Sequence, residues 1–216
     1  MNKKIWVGRV AAVAISVLFV LIDRPAGASG SASSLVEEFN RTLITVVQTA
    51  DRRMQERYDL LAQHVERAFN LPFMLQESAG SRWRGANEDD RAKLVAAFTR
   101  ISIGTFLFRF RDYEGESFKV LGEGEGSDDT RLVYTEFVRP GRSAIPVTYV
   151  TRQFGSSWRI VDLLIGGSMS ELAMRRSEYA YILRQSGIGG LIAKLNERAD
   201  QILVGTSSAG SPGASR

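Results

Sequence analysis

Few side chains in this sequence combine the residue types and the spacing that catalysis requires. His64 is the only histidine among the 216 residues, and the sequence indicates no serine or carboxylate beside it that could complete a catalytic or metal-binding set. The acidic run from Glu88 to Asp90 follows Asn87, a pattern typical of the first turn of a helix, where the helix dipole favours negative charge. The sequence therefore predicts a protein that is not an enzyme.

The glycine-rich string from Gly122 to Asp129, GEGEGSDD, resembles a phosphate-binding loop in composition only. Glu123 and Glu125 would repel a phosphate, and no lysine followed by serine or threonine comes after them. The acidic residues also lack the spacing of a calcium-binding loop. We expect a flexible hairpin turn between two strands.

Asp162 is a charged residue inside an otherwise apolar strand, and a charge in that position is costly unless it has partners. One interpretation is an acid in a pocket. The other is a structural carboxylate that hydrogen-bonds a turn or pairs with a basic residue such as Arg176. We favour the structural interpretation.

The chain contains no cysteine. This absence excludes a thiol nucleophile, a thiolate metal site, a disulfide framework and an acylated cysteine after a leader. We expect neither a metal site nor another cofactor, and we expect a mature protein that is soluble.

The N-terminus has the pattern of a secretory signal peptide. Lys3, Lys4 and Arg9 precede thirteen apolar or small residues from Val10 to Ile22, and an Ala-Gly-Ala cleavage pattern ends at residue 28. Thirteen helical residues would span only about 20 Å, less than the roughly 30 Å hydrocarbon core of a bilayer, which disfavours a permanent anchor. We predict a cleaved signal peptide over residues 1–28.

Cleavage would also change the net charge. Four of the 28 basic residues and one of the 24 acidic residues lie in the leader, so the mature net charge is about +1. A nearly neutral chain without a basic block gives no support for a nucleic-acid partner. We expect one domain over residues 29–204, with loose ends at residues 29–33 and a disordered tail over residues 205–216.

Capping signals and apolar periodicity predict helices in the first half of the chain. Ser34 and Glu37 form a capping box that opens a helix expected to reach about Arg57. A shorter helix follows from about Asp59, and Pro72 prevents its continuation, so that the LPFML stretch is expected to be an exposed apolar turn. A third long helix begins after the Asn87 cap.

The end of the third helix is apolar on all sides. Phe106, Leu107, Phe108 and Phe110 cover its circumference, and such a surface requires more than one neighbouring element. Four strand patterns follow, at residues 117–122, 131–139, 145–154 and 158–165, joined by hairpin-length connections.

The last of these strands is apolar on both faces and is expected between two layers. Ser168 and Glu171 form another capping box for a helix that ends at Gly187, and a final helix completes the chain. The order predicts an α+β fold: an antiparallel sheet of about four strands wrapped by N-terminal and C-terminal helices.

The segment from Trp158 onward carries a family resemblance. It resembles the MlaC-type, or toluene-tolerance, family of periplasmic lipid carriers, which end in a Trp-basic-aliphatic-x-Asp strand, a glycine turn and an Arg-x-Glu-aromatic helix. The matching residues are Trp158, Arg159, Asp162, Gly167, Arg176, Glu178 and Tyr179. The strings RPGRSAIPVTYVTRQFGSSWRIVD and SELAMRRSEYAYILRQSG are closest to the hopanoid-biosynthesis-associated branch, although Gly166 replaces the acidic residue usual in that turn.

The resemblance implies a carrier that holds acyl chains in an apolar cavity between the helices and a curved sheet, without catalysis. Trp158, Asp162, Gly167, Arg176 and Tyr179 would be structural. An arginine rim at the cavity mouth would consist of Arg109, Arg111, Arg139 and Arg152. The lipid-binding residues would be Phe69, Phe73, Leu75, Trp83, Phe98, Ile101, Phe106, Phe110, Tyr134, Val147 and Tyr149.

The same resemblance implies a periplasmic location and two partners, an inner-membrane ABC lipid transporter and an outer-membrane lipoprotein complex. The cargo would be a phospholipid or, if the branch is right, a hopanoid. Two other functions stay open. A periplasmic adaptor would have a solid core, with a cavity below about 300 Å³. An enzyme acting on a hydrophobic substrate would have Asp162 facing an open pocket.

Overall fold

A computed structural model describes residues 30–49 and 51–208, and in this part of the chain six helices and five strands form an α+β fold. The predicted signal peptide, residues 1–28, lies outside the described residues. The helices are α1 (Ala32–Val47), α2 (Met54–Ala68), α3 (Leu71–Ala79), α4 (Ser81–Gly85), α5 (Glu88–Arg109) and α6 (Glu171–Ser208). The strands are β1 (Ser117–Glu125), β2 (Thr130–Val138), β3 (Ile145–Phe154), β4 (Ser157–Ile165) and β5 (Met169–Ser170).

The first helix begins and ends earlier than predicted. Ser31, not Ser34, is its N-cap: the Ser31 hydroxyl accepts a hydrogen bond from the Ser34 amide at 3.0 Å. Residues 31–33 are therefore ordered into the fold, not loose. The helix ends at Val47 instead of near Arg57, because Thr49 turns back and donates its hydroxyl to the Val46 carbonyl at 2.6 Å. The second helix accordingly starts at Met54, before Asp59.

The prediction of an exposed turn at LPFML was wrong, because this stretch opens α3. Pro72 lies in the first turn of the helix, where no backbone donor is needed. The Asn70 side chain caps that turn by accepting from the Phe73 amide at 3.1 Å. Leu71, Met74 and Leu75 are buried, so the apolar cluster belongs to the core.

The third long helix of the sequence-based prediction is α5, and its cap is confirmed. The Asn87 side chain accepts from the Asp90 amide at 2.8 Å. The final helical segment, α6, is interrupted at Gly187 by non-helical backbone, as predicted. Its cap differs: Ser170, not Ser168, accepts from the Ala173 amide at 2.9 Å. The helix reaches Ser208, so four residues of the predicted tail are helical, and residues 209–216 lie outside the described part of the chain.

The sheet is the predicted antiparallel meander, with its strands in the order β1 to β5. It has five strands instead of four, because Met169 and Ser170 after the glycine turn pair back onto β4. The GEGEGSDD string divides between the end of β1 and the hairpin turn, where Asp128 and Asp129 adopt positive φ.

An irregularity in β4 explains why four successive residues, from Ile160 to Leu163, are buried. The pairing with β3 shifts between Val150 and Thr151, so that Val161 has no opposite partner. Such a bulge changes the side-chain parity along the strand. Ile160 and Leu163 therefore both face the helices. The bulge explains why this strand has apolar residues at both odd and even positions.

The helices cover one face of the sheet, called here the inner face. Helix α1 contacts β1, β2 and β4, while α5 packs mainly on α6 and extends to α2 and α3. The α2–α3 junction is tied to β4 because the Asn70 amide donates to the Ile160 carbonyl at 3.0 Å. The shared core lies between the inner face and these helices.

Candidate functional site

An apolar cavity of about 370 Å³ lies between the inner face of the sheet and helices α1, α5 and α6. Two of its lining residues are charged, and the others are aliphatic, aromatic or methionine. The lining consists of Leu43, Phe106, Arg109, Phe110, Phe118, Phe137, Ile145, Val147, Tyr149, Leu163, Ile165, Met169, Glu171 and Met174. This composition fits an apolar ligand.

Strand register produces the sheet wall of the cavity. Phe137 pairs with Phe118 on one side and with Ile145 on the other. Val147 pairs with Ile165 in the same way, two residues along β3. Because alternate residues of paired strands share a face, these side chains form continuous apolar rows.

Aromatic rings close the cavity on its inner side. Phe39 packs edge-on against Phe69 and Phe106, with ring centroids 5.0 and 5.4 Å apart. Phe69 and Phe106 are 5.6 Å apart, and Tyr149 lies 6.5 Å from Phe39. Such contacts stabilise aromatic pairs beyond the area that they bury, so this cluster forms a rigid floor.

A second aromatic group joins the end of α5 to the first two strands. The Phe110 ring lies 5.3 Å from Phe137 and 6.0 Å from Phe118, and the latter two rings are 5.1 Å apart. Phe110 follows the last residue of α5. The predicted apolar circumference of this helix end therefore has two sets of neighbours, with Phe106 in the floor and Phe110 against the strands.

A buried polar contact fixes the orientation of the floor. The Tyr149 hydroxyl donates to Asn40 Oδ1 at 2.5 Å, and both residues are buried. Burial raises the pKa of Tyr149 because the phenolate would be desolvated, although the Asn40 hydrogen bond opposes this effect. Tyr149 therefore keeps its phenolic proton into the alkaline range, and it lines the cavity.

An ion-pair network spans the cavity mouth from α5 to α6. Arg109 donates to the buried Glu171 at 2.6 Å, and Arg175 lies 3.8 Å from the same carboxylate. Arg175 also lies over the Phe98 ring at 4.8 Å. Two arginines therefore face one glutamate, and Arg109 is partly exposed.

Two methionines lie beside this network. Met169 is 56% exposed and Met174 is 43% exposed, although both line the cavity. Methionine side chains are flexible and adapt to irregular apolar shapes. The mouth is therefore apolar and deformable on one side and charged on the other.

Asp162 is held by the turn between β4 and α6. Its Oδ1 accepts from the amides of Leu163 and Leu172 at 2.7 and 2.9 Å, and its Oδ2 accepts from the Ser170 hydroxyl at 2.5 Å. Arg176, the alternative partner considered from the sequence, contacts Glu77 instead. Asp162 thus has the contacts of a structural carboxylate and does not line the cavity.

The other motif residues lie in this turn, on α6 and on β4. Gly167 has a φ of 91°, which a residue with a side chain rarely adopts. Tyr179 is buried on α6 with its ring 6.4 Å from Phe98, and Trp158 packs against the core from β4. The Tyr179 contact therefore joins α6 to α5, and Trp158 attaches β4 to the core.

The structure brings only some of the predicted lipid-binding residues to the cavity. Phe106, Phe110, Val147 and Tyr149 line it, and Phe69 lies in the floor behind Phe106. The remainder lie elsewhere: Leu75, Phe98 and Ile101 in the helical core, Phe73 beside Phe154, Trp83 on α4, and Tyr134 partly exposed on the outer face of the sheet.

The predicted arginine rim is also divided. Arg109 lies at the cavity mouth. Arg111 is paired with Asp112 and lies over the Phe108 ring, while Arg152 lies over the Phe73 ring. Neither Arg139, whose Nε is buried, nor these two line the cavity. Helical and strand periodicity does not show where in the fold a residue lies. The sequence therefore could not distinguish Arg109 from the other three arginines.

Nine lining residues are not among the lipid-binding and rim residues predicted from the sequence: Leu43, Phe118, Phe137, Ile145, Leu163, Ile165, Met169, Glu171 and Met174. A signal for some of them was present. Alternate residues of a strand share one face of the sheet, and antiparallel pairing places Phe137 and Val147 on the same face. Applying this alternation to β1, β2 and β3 would have included Phe118 and Ile145. The position of Met169, Glu171 and Met174 depends on the pairing of β5 with β4, and no pattern in the sequence predicts that pairing.

The described residues contain no group of three or more histidine, cysteine, aspartate or glutamate side chains that could hold a metal ion. Within the same part of the chain, no helix combines the length and the apolarity needed to cross a membrane.

Comparisons with known proteins point to one family. The family model described as MlaC protein matches residues 35–197. The fold is similar to the solved structure of a phospholipid-binding protein from Ralstonia solanacearum in complex with a phospholipid, with a TM-score of 0.70 and 17% sequence identity over 80% of this chain and 99% of that chain. No curated protein matches this sequence.

Proposed function

Because this chain belongs to the MlaC family, we propose that it is a periplasmic carrier that holds the acyl part of a phospholipid in the apolar cavity and shuttles it between the inner and outer membranes. The cavity carries the proposal, since it is apolar, open at one side and built by the inner face of the sheet. The phospholipid-bound neighbour of the same fold supports it.

The free energy of transfer explains why such a cavity is needed. Each methylene removed from water contributes about 0.8 kcal/mol, so that one chain of roughly fifteen methylenes contributes about 12 kcal/mol. A carrier must offset most of this cost of leaving the bilayer without exceeding it, because it also releases the lipid. No bond is made or broken, so no catalytic group is required.

The mouth suits a phosphate headgroup at the same time. Arg109 is partly exposed and has only one of its donors on Glu171 in the network described. A guanidinium binds phosphate by charge-assisted hydrogen bonds. We therefore propose that Arg109 binds the headgroup phosphate. Met169 and Met174 would contact the first methylenes below it.

The two alternative functions have less support. The cavity volume of about 370 Å³ exceeds the limit of about 300 Å³ that would have favoured an adaptor with a solid core. Asp162, the acid of the enzyme hypothesis, has three hydrogen-bond donors around it. A hopanoid stays an alternative cargo, and an ABC transporter and an outer-membrane lipoprotein complex are the partners proposed from the family.

Lipid extraction and native mass spectrometry of the purified protein test this function. We expect one co-purified phospholipid per chain and uptake of phospholipid from liposomes by protein from which lipid has been removed. Recovery of a hopanoid would change the cargo but keep the carrier. Absence of any bound lipid together with absence of uptake would overturn the proposal.

A matched pair of substitutions locates the binding. Val147→Phe fills the cavity from β3 and should reduce lipid uptake at least tenfold, because the added ring occupies the acyl site. Val150→Phe makes the same change on the opposite face of the same strand and should leave uptake within about twofold. Equal losses in both variants would indicate a general packing defect.

A further inference from the structure

A second concave surface, separate from the apolar cavity, lies between α3, α4 and the first half of α6. We call it the arginine cleft and define it by Arg82 and Arg84 of α4, Arg176 and Arg184 of α6, and Glu77 of α3. Its volume is about 480 Å³. Because Glu171 and Met174 line the apolar cavity while Arg176 and Arg184 line the cleft, α6 separates the two sites.

The cleft concentrates positive charge on a protein that is otherwise nearly neutral. It contains four arginines and one glutamate, a local net charge of about +3, compared with about +1 expected for the whole mature chain. Glu77 contacts Arg176 at 3.4 Å. Among the described residues, Arg82, Arg84 and Arg184 form no ion pair. Three guanidinium groups are therefore available to an external anion.

The short helix that carries two of these arginines is fixed in place. Arg91 of α5 donates its Nε to the Trp83 carbonyl at 3.1 Å and its Nη2 to the Arg84 carbonyl at 2.8 Å. Its guanidinium also lies over the Trp83 ring at 5.7 Å. Since these contacts hold the backbone of α4, Arg82 and Arg84 project from a positioned element and not from a free loop.

The chemistry of the cleft indicates the kind of partner. Guanidinium groups pair with phosphate through parallel charge-assisted hydrogen bonds. Tyr181, on the same half of α6, is 61% exposed, and tyrosine is favoured where an apolar layer meets water.

We propose that the arginine cleft docks the protein on an anionic lipid bilayer, with the phosphates of the headgroup layer as the recognised anions. Charge complementarity carries this proposal: a local charge of about +3 on a nearly neutral molecule orients α3, α4 and α6 toward a negative surface. The interaction uses neither the apolar cavity nor its contents, so the docking proposal can be tested independently of the proposed cargo.

Vesicle co-sedimentation tests the docking. The purified protein should bind phosphatidylglycerol vesicles at low ionic strength, bind phosphatidylcholine vesicles at least tenfold more weakly, and dissociate as salt is added. The double variant Arg82→Glu/Arg84→Glu should lose at least about tenfold in binding, since each basic side chain near an anionic surface contributes roughly fivefold. The milder Arg82→Gln/Arg84→Gln should lose less.

The control is Arg41→Glu/Arg142→Glu, which makes the same charge change at two exposed positions on α1 and in the β2–β3 turn. It should stay within about twofold of the unmodified protein, and all variants should keep its melting temperature and its lipid content.

Two results would overturn the proposal: no binding to phosphatidylglycerol vesicles, or equal losses in the cleft and control variants. Binding of inorganic phosphate that requires Arg82 and Arg84, without vesicle binding, would instead indicate a site for free phosphate. Binding of an acidic protein that requires Arg82 and Arg84, without vesicle binding, would equally replace the bilayer as partner.

Discussion

Asp162 shows how one carboxylate can join three parts of a fold. It lies in β4, yet its oxygens accept hydrogen bonds from Leu163, Ser170 and Leu172, which belong to β4, β5 and α6. These hydrogen bonds offset the free-energy cost of burying the charged carboxylate. The sequence predicted that the residue needs partners, but their identity depended on the pairing of Met169 and Ser170 with β4.

Substituting Asp162 separates its structural role from a role in binding. Asp162→Ala leaves the Leu163 and Leu172 amides without an acceptor and should lower the free energy of unfolding by at least about 3 kcal/mol. Asp162→Asn keeps an oxygen for both amides and should cost about 1 kcal/mol. Urea unfolding measures both values. Loss of lipid uptake in Asp162→Asn with unchanged stability would contradict the structural assignment.

Tyr149 should make stability depend on pH in the alkaline range. Its pKa is raised by burial, so the folded state keeps the phenolic proton that the unfolded chain loses near pH 10. The stabilisation is therefore complete below about pH 10 and is lost as pH rises toward the folded pKa. In Tyr149→Phe the decline should be shallower, by up to about 1.4 kcal/mol per pH unit.

Urea unfolding between about pH 8 and 11 measures this dependence. Burial also raises the pKa values of Tyr58 and Tyr179, so part of the decline should persist in Tyr149→Phe. At neutral pH this variant should lose about 1–3 kcal/mol because Asn40 loses a donor. Tyr181→Phe, at an exposed position, is the control, and an identical change there would refute the assignment to Tyr149.

Helix α6 behaves as two helices because of Gly187. This residue has φ 65° and ψ −165°, a conformation that is open almost only to glycine. The first half of α6 contributes to the cavity mouth through Glu171 and Met174, and Leu191 and Leu195 in the second half are buried in the core. The break therefore allows the two halves of α6 to reach both the cavity mouth and the core.

Gly187→Ala and Gly189→Ala should have opposite effects on stability. Alanine at residue 187 would be forced into a strained conformation and should cost about 1–3 kcal/mol. Gly189 is helical without a positive φ, and a Cβ there meets no atom within 4 Å. Alanine at that position should stabilise by about 0.4–1 kcal/mol. Thermal unfolding compares the two, and destabilisation of both would show that close packing, not backbone conformation, governs this segment.

Elements differ in how far their sequence predicts them. The four long strands and the Asn87 cap follow from local patterns. In contrast, the LPFML stretch was interpreted as a turn because Pro72 ends a preceding helix, whereas the same proline is also suited to the first turn of a new one. Local sequence does not choose between these outcomes, and burial of Leu71 and Leu75 against the core does.

In the described part of the chain, the apolar cavity and the arginine cleft lie on opposite sides of α6. The cavity exists because the inner face of the sheet and the helices are bridged by aromatic rings at the floor but not at the mouth, where Arg109 and Glu171 meet instead. The proposed lipid site and the proposed membrane-docking cleft therefore share one helix, α6, but no lining residue.

The sequence by itself determined the α+β class, the antiparallel meander, the break at Gly187 and the family, because each depends on local periodicity, glycine conformation or a short motif. Tertiary structure decided which aromatic residues line a cavity and which fill the core. Phe98 and Phe106 lie on one helix, yet Phe98 packs against Tyr179 and Phe106 borders open space. Hydrophobicity is the same for both, and only the surrounding elements differ.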